Sequence, residues 1–281
     1  MPQFHRGALA HEWRPDHVYA IRYATRPTAL RGEHFYGHDE CADASMPIDY
    51  FVWLITGPRA AILVDAGFTP EVARLRPGRD HLGSPLDAVE RLGYPVDSIL
   101  SVIVTHGHYD HTGYLSRMSG ARIHLQEREL AFWTGRHAHR ETYRSIVHED
   151  DIVGLVRSNF EGRVDLYDGD ASIANGVTAH LVGGHTAGTQ VVRVELGDGR
   201  VVVLASDASH FYANIDEERP FSIAHTVPAM FDAFDTLHSL ARTSDARPGL
   251  IVPGHDPLVC ERFEPAFPRD LEFSERIWEV V

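Results

Sequence analysis

A buried imidazole needs its own hydrogen-bond partner, so histidines crowded within a few residues call for an explanation. The stretch THGHYDHTG sets His106, His108 and His111 at i, i+2 and i+5, with Asp110 beside the last. This is not the i, i+4 spacing that puts two ligands on one helix face. On a loop leaving a strand, i and i+2 point the same way, and Asp110 with His111 can turn toward a neighbouring point. The stretch can thus serve two metal centres lying side by side.

Each centre needs further donors. GGHTAG offers His185 in a glycine-flanked turn, SDAS offers Asp207, and PGHD offers His255. A catalytic zinc keeps three protein ligands and an open position for water. The count closes with His106, His108 and His185 on one ion and Asp110, His111 and His255 on the other. Asp207 has two carboxylate oxygens and can lie between them. The expected cofactor is two divalent metal ions, zinc first. Iron, manganese or cobalt suit the same imidazoles and carboxylates. The remaining histidines, among them His5, His11, His34, His81, His124 and His225, read individually as surface or satisfied core residues.

Those donors need strands to hold them. HVYAIRYA (17–24), YFVWLIT (50–56) and AAILVDAG (60–67) read as strands, the last two joined by a GPRA turn. SPLDAVERLGY reads as a helix capped by Ser84, with Pro85 in its first turn and Gly93 at its end. SILSVIVT (98–105) is a continuous apolar run, as in a strand covered on both faces. A helical middle spans about 126–158. VTAHLVGG (177–184), TQVVRVEL (189–196), RVVVLASD (200–207) and GLIVPGH (249–255) are further strands. A helix over 227–244 carries Met230, Phe231, Phe234, Leu237 and Leu240 at helical spacing. This order predicts an α+β, four-layer αββα sandwich. His106, His185, Asp207 and His255 each follow an apolar run, where layered folds gather ligand sites.

The chain has 281 residues, 43% of them hydrophobic, with 26 Lys+Arg against 40 Asp+Glu for a formal charge of −14. Nucleic acid and anionic membranes are poor partners for such a balance. No apolar run approaches the roughly 20 residues of a membrane span. Cys41 and Cys260 lie far apart without CxxC spacing, which reads as two reduced thiols in a cytoplasmic protein. The first residues lack the apolar core of a secretion signal.

THGHYDHTG, GGHTAG, SDAS and PGHD, with ILVDAG upstream, resemble the motifs of the metallo-β-lactamase fold superfamily in their order. The resemblance covers about 50–256, and within the superfamily it is greatest to the N-acyl homoserine lactonase branch. It implies one metallo-β-lactamase-like domain over 1–281, with 1–48 an N-terminal extension, a lid or a dimer contact. It implies that Asp65 orients a ligand imidazole. It also implies a hydrolase that opens a lactone or related ester by attack of metal-bound hydroxide, with Asp110 as proton acceptor. Lactonases of this branch have a tyrosine three residues after the bridging aspartate, where this chain has His210, with Tyr212 two further on. Either His210 or Tyr212 is a candidate donor to the oxyanion. Phe132, Trp133, Tyr143 and Phe221 are candidates to line an acyl groove.

Other readings share the motifs. A thioester or β-lactam hydrolase uses the same loop, but the short tail after His255 lacks the basic cluster that glutathione substrates call for. A mononuclear iron persulfide dioxygenase leaves Asp110, His111 and His255 without a task. A nuclease of the RNase Z type conflicts with the acidic charge, and a catalytically dead binding module conflicts with an intact donor set.

Overall fold

Alternation of apolar side chains decides which face of each strand is covered. The computed structural model describes residues 13–243 and 247–281. His5 and His11, and the last residue of the helix expected over 227–244, lie outside the described residues.

In chain order the elements are β1 (His17–Arg26), β2 (Ile48–Gly57), β3 (Ala60–Val64), α1 (Pro70–Arg74), β4 (Asp80–His81), α2 (Pro85–Arg91), β5 (Ile99–Ile103), α3 (Tyr109–Thr112), β6 (Arg122–Gln126), α4 (Glu127–Trp133), α5 (Glu141–Arg144), α6 (Glu149–Phe160), β7 (Val164–Tyr167), β8 (Ala171–Ala174), β9 (Val177–Leu181), β10 (Gln190–Glu195), β11 (Val201–Ser206), α7 (Tyr212–Asp216), α8 (Val227–Leu240), β12 (Leu250–Pro253), α9 (Leu258–Arg262), β13 (Glu264–Pro265) and β14 (Ile277–Glu279). Among the described residues, nine strands form one sheet in the order β13-β14-β1-β2-β3-β5-β6-β7, with β4 against β1. Five form the second, β12-β11-β10-β9-β8.

The period of two in the strands sorts the core into three seams. Phe51, Trp53 and Ile55 of β2 meet Val192 and Val194 of β10 and Val202 and Leu204 of β11 between the sheets. Their neighbours Val52 and Leu54 face the other way, onto Leu86 and Val89 of α2, Leu130 of α4 and Leu155 of α6. Val201, Val203 and Ala205 of β11 cover Ala233, Phe234 and Leu237 of α8. Helices, sheet, sheet and helix therefore stack as the expected αββα sandwich. Each fully buried Leu, Ile or Phe in a seam contributes about 1.5–3 kcal/mol.

Most local expectations hold. Ser84 accepts from the Leu86 amide with Pro85 at the first helical position, and β2 and β3 close as a tight hairpin with Gly57 opposite Ala60. Other segments differ. Of the stretch read as an N-terminal extension, 17–26 is a strand inside the larger sheet, paired to β2 on one side and β14 on the other. β6, β7 and β8 were not expected; Arg122 and His124 interrupt the apolar run of β6. The helical middle is three helices. On α8, Met230, Phe234 and Leu237 are buried, but Phe231 is exposed. No helix among the described residues is long and apolar enough to cross a membrane.

Candidate metal centre

Strand direction brings the donors to one edge. β3 runs parallel to β5 and β11 parallel to β12. β9 and β11 are both antiparallel to β10, so they share a direction. The residues just past β3, β5, β9, β11 and β12 supply Asp65, His106, His185, Asp207 and His255. After β5 the chain passes His106 and His108 and closes into the single turn α3, which carries Asp110 and His111. Gly184, at φ +81°, lets the His185 loop lie on α8, where a Cβ would stand 2.8 Å from Met230. A Cβ on Gly254 would stand 2.7 Å from the Ser206 carbonyl oxygen.

Asp65 and Ser206 have left-handed backbones, φ 65° and 45°, a conformation that costs a residue with a Cβ about 1 kcal/mol or more. What they gain is a knot of hydrogen bonds across the two sheets. Asp65 accepts from the Thr105 amide and hydroxyl, both at 2.8 Å, and its Oδ2 lies 2.7 Å from His111 Nδ1. Thr105 Oγ1 is 2.8 Å from Ser206 Oγ.

Asp207 is the centre of the site. Its Oδ2 lies 3.2 Å from His185 Nε2 and 3.6 Å from His106 Nε2. Its Oδ1 lies 3.0 Å from His255 Nε2 and 3.4 Å from His111 Nε2. Asp110 Oδ2 is 3.7 Å from both His111 Nε2 and His255 Nε2. The donor atoms fall into overlapping groups, each within 4.8 Å: His106, His108, His185 and Asp207; Asp110, His111 and His255; and Asp207, His210 and His255. The first two are the sets expected from the spacing; the third adds His210.

The residues fit a metal ion by an independent criterion. His106 Nε2 and His111 Nε2 are buried with no hydrogen-bond partner, although buried polar atoms are rarely left so. His108 Nδ1 and His185 Nε2 face each other at 3.0 Å. The outer nitrogens are engaged instead: His185 Nδ1 lies 2.8 Å from the Ile223 carbonyl oxygen and His255 Nδ1 2.8 Å from that of Asp49. Outer hydrogen bonds of this kind aim ligand imidazoles inward. Burial and mutual repulsion hold His106 and His108 well below the usual histidine range. Burial also works to raise the Asp207 carboxyl, but the imidazoles around it, His210 and His255 foremost, keep it well below the carboxylate range. A buried carboxylate ringed by imidazole nitrogens is a donor set that a cation completes.

Glu129 on α4 had no signature in the sequence. It is fully buried. Its Oε1 accepts from the Gly107 amide at 2.8 Å and Trp133 Nε1 at 2.6 Å. Its Oε2 accepts from the Thr186 hydroxyl and the Gly188 amide, both at 2.7 Å. One carboxylate thus ties the 106–108 segment to the 185–188 loop.

His210 and Tyr212 part company. His210 is buried, stacks on Phe221 with ring centres 3.3 Å apart, and donates through Nε2 to Asp207 Oδ2 at 2.9 Å. Burial lowers it to about 3. Because Nε2 carries the proton, Nδ1 is left as an acceptor. The expected role as donor to an oxyanion therefore does not match this arrangement. Tyr212 is corrected outright: its ring lies 3.6 Å beneath the Arg262 guanidinium, beside the seam between the sheets, away from the cavity. The strand-to-helix turn after β11 points 210 inward and 212 back into the fold.

Two arms of cavity meet at the cluster. One, of about 190 Å³, is walled by Phe132, Trp133, Tyr143, Ile223 and Ala224. The other, of about 280 Å³, is walled by Arg26, His34, Tyr50, Arg76, Arg79, Tyr109 and Phe221. All four aromatic candidates for a groove thus line the cavity. His34 and His225, read as ordinary histidines, line it too.

A layered αββα fold whose strand ends carry a buried histidine–aspartate cluster able to bind metal defines the class of this protein. The family model for the metallo-beta-lactamase superfamily matches residues 47–255, and the chain belongs to that superfamily. It is 27% identical over 245 residues to the N-acyl homoserine lactonase AttM of Rhizobium radiobacter, covering 80% of this chain and 88% of that protein. It is 26% identical over 177 residues to the N-acyl homoserine lactonase of Bacillus thuringiensis, covering 61% of each. Among solved structures, a quorum-quenching N-acyl homoserine lactone lactonase superposes with a TM-score of 0.70 at 20% identity, over 87% of this chain and 93% of that one.

Proposed function

We propose that the protein is a metal-dependent hydrolase that opens a lactone ring, as its lactonase relatives are named for doing. The observation that carries this reading is the set of donor groups gathered around Asp207, with His106 Nε2 and His111 Nε2 buried and without a hydrogen-bond partner. His106, His108 and His185 would hold one divalent ion and Asp110, His111 and His255 a second, with Asp207 shared; zinc suits this donor set. Ions bound there lower the pKa of coordinated water and polarise a carbonyl.

The chain's own groups supply the rest. In the reaction water adds across the acyl C–O bond: the carbonyl carbon gains the hydroxyl oxygen, and the ring oxygen leaves and takes a proton. Asp110 is the carboxylate suited to carry that proton. Asp65 keeps His111 oriented through Nδ1, and His210 keeps Asp207 Oδ2 oriented through Nε2. Phe132, Trp133 and Tyr143 offer an apolar seat for an acyl group and exclude water beside it.

The test is proton release from a lactone panel that includes N-hexanoyl homoserine lactone, with metal content measured on the same sample. S-lactoylglutathione and nitrocefin serve as competing substrates. Two metal equivalents per chain with ring opening supports the reading. Metal-loaded protein that cleaves the thioester or the β-lactam but no lactone overturns it.

A further inference from the structure

The polar arm of the cavity gathers three arginines, with Glu33, Asp110 and Asp207 as its carboxylates, in a chain of net charge −14. Arg26, Arg76 and Arg79 all line it. Arg26 is neutralised by Glu33. Arg76 and Arg79 are not, since among the described residues neither has a carboxylate partner. Arg76 lies flat on the Tyr109 ring, 3.7 Å from its centre, and donates to the carbonyl oxygens of Ser145 at 2.6 Å and Val147 at 2.9 Å. Arg79 donates from Nε to Tyr109 Oη at 3.3 Å and from Nη1 to the Pro77 carbonyl oxygen at 3.1 Å. A guanidinium has five N–H donors, so Arg79 keeps several unspent.

The position matters as much as the charge. Tyr109 sits in the chain between His108 and Asp110, so Arg79 stands one tyrosine side chain from the cluster. Tyr50, whose hydroxyl lies 3.4 Å from that of Tyr109, packs edge-on against the His255 ring. Two half-buried guanidinium groups with no carboxylate in contact, held by backbone carbonyls and a tyrosine, are costly unless a negative ligand group meets them. Arginine is also the side chain whose fork matches a carboxylate.

Resting on the reading of a lactone-opening site, we infer that the preferred substrate carries an anionic group, a carboxylate, which Arg79 binds while the ring carbonyl faces the metal cluster. Arg76 adds its charge and holds Arg79's neighbour Tyr109 in place. The aromatic arm takes the apolar remainder. The substrate class is therefore an acidic lactone, not an uncharged one.

The experiment compares γ-butyrolactone bearing a ring carboxylate with its carboxamide, an uncharged analogue of the same shape, on the zinc-loaded protein. One charge-assisted pair predicts kcat/KM about tenfold or more higher for the acid. The preference should shrink as salt rises from roughly 0.05 to 0.5 M. Arg79→Gln should bring the ratio to about one, and Arg79→Lys should restore part of it. Circular dichroism and zinc content on each variant identify any that fails to fold. A ratio near one in the wild type, or one unmoved by Arg79→Gln in folded protein, overturns the inference. If no lactone is opened at all, the proposed reaction is at fault, and the anion site is still tested by calorimetric binding. Under this inference 2-hydroxyglutarate, with two carboxylates, binds the zinc-loaded protein about tenfold tighter than 4-hydroxybutyrate, a difference that Arg79→Gln erases. Equal affinities overturn it.

Discussion

On one side of His108 and His185 the cavity is walled by Phe132, Trp133 and Tyr143; on the other it is walled by Arg76, Arg79, Tyr50 and Tyr109. Both arms share His108, Ile146, His185, Ser222 and Ile223, so a single substrate can reach into each from the same reacting centre. They are built differently. The aromatic arm is a set of edge-to-face rings, with Phe132 5.0 Å from Tyr143 and 4.9 Å from Trp133; its energy is area and shape. The polar arm is a set of fixed charges and hydroxyls, whose energy depends on what charge arrives. On the proposed function, this difference assigns the reaction to the cluster and the choice of substrate to the arms.

That division can be broken, and the largest effect should ignore the arms. Asp207→Ala removes the carboxylate common to both donor groups. It should lower kcat/KM by about 10³-fold or more for every substrate, with loss of bound metal by mass spectrometry. If an acidic and a neutral lactone respond differently, the cluster is not independent of the arms.

Next comes Glu129→Gln, which keeps the shape but exchanges an anionic acceptor of four hydrogen bonds for a neutral amide. Metal affinity should fall about 10–100-fold, read by competition with a chelator, and excess zinc should rescue activity. His210→Ala, which frees Asp207 Oδ2, should cost about tenfold in kcat with little change in KM. A rise in KM with kcat unchanged would place His210 in binding instead.

Phe132→Ala sharpens the comparison from the other side. It should raise KM by about tenfold for a long acyl lactone and barely alter it for a short one, measured by stopped proton release. An effect equal for both chain lengths would mean that the aromatic arm does not seat the acyl group.

The effect smallest on activity lies outside both arms, at His124 on β6, and is read in stability. Burial lowers its imidazole to about 4 from 6.5. Its Nε2 lies 3.1 Å from Ser101 Oγ. The folded state therefore binds fewer protons than the unfolded one between those values. Its contribution is complete above pH 6.5 and is lost as pH falls toward 4. Urea unfolding across that window should show wild type losing stability relative to His124→Gln, on the order of 3 kcal/mol in total. Parallel pH profiles for the two proteins would show that His124 is not held neutral by the fold.

The seven candidate ligands were legible in the sequence because metal chemistry restricts residue type. Histidine and aspartate at strand ends, spaced as in HGHYDH, have few other uses. The period of two in β2 and β11 was legible for a similar reason, since a buried strand must show apolar residues to each covered face. The middle of the chain was less so: RIHLQ carries polar groups into a strand because Ser101 and Asp165 receive them from neighbours far along the chain.

What tertiary structure alone decided is the wall around the cluster. Arg79, Glu129, His34 and Tyr50 are ordinary residues in ordinary segments. They acquire a task only because loops from distant stretches of the chain close on the same edge. Whether His210 or Tyr212 faced inward was likewise a matter of one turn after β11, which backbone direction settles and residue type does not. Local chemistry named the candidate ligands; the packing of two sheets determined which unremarkable side chains would stand beside them.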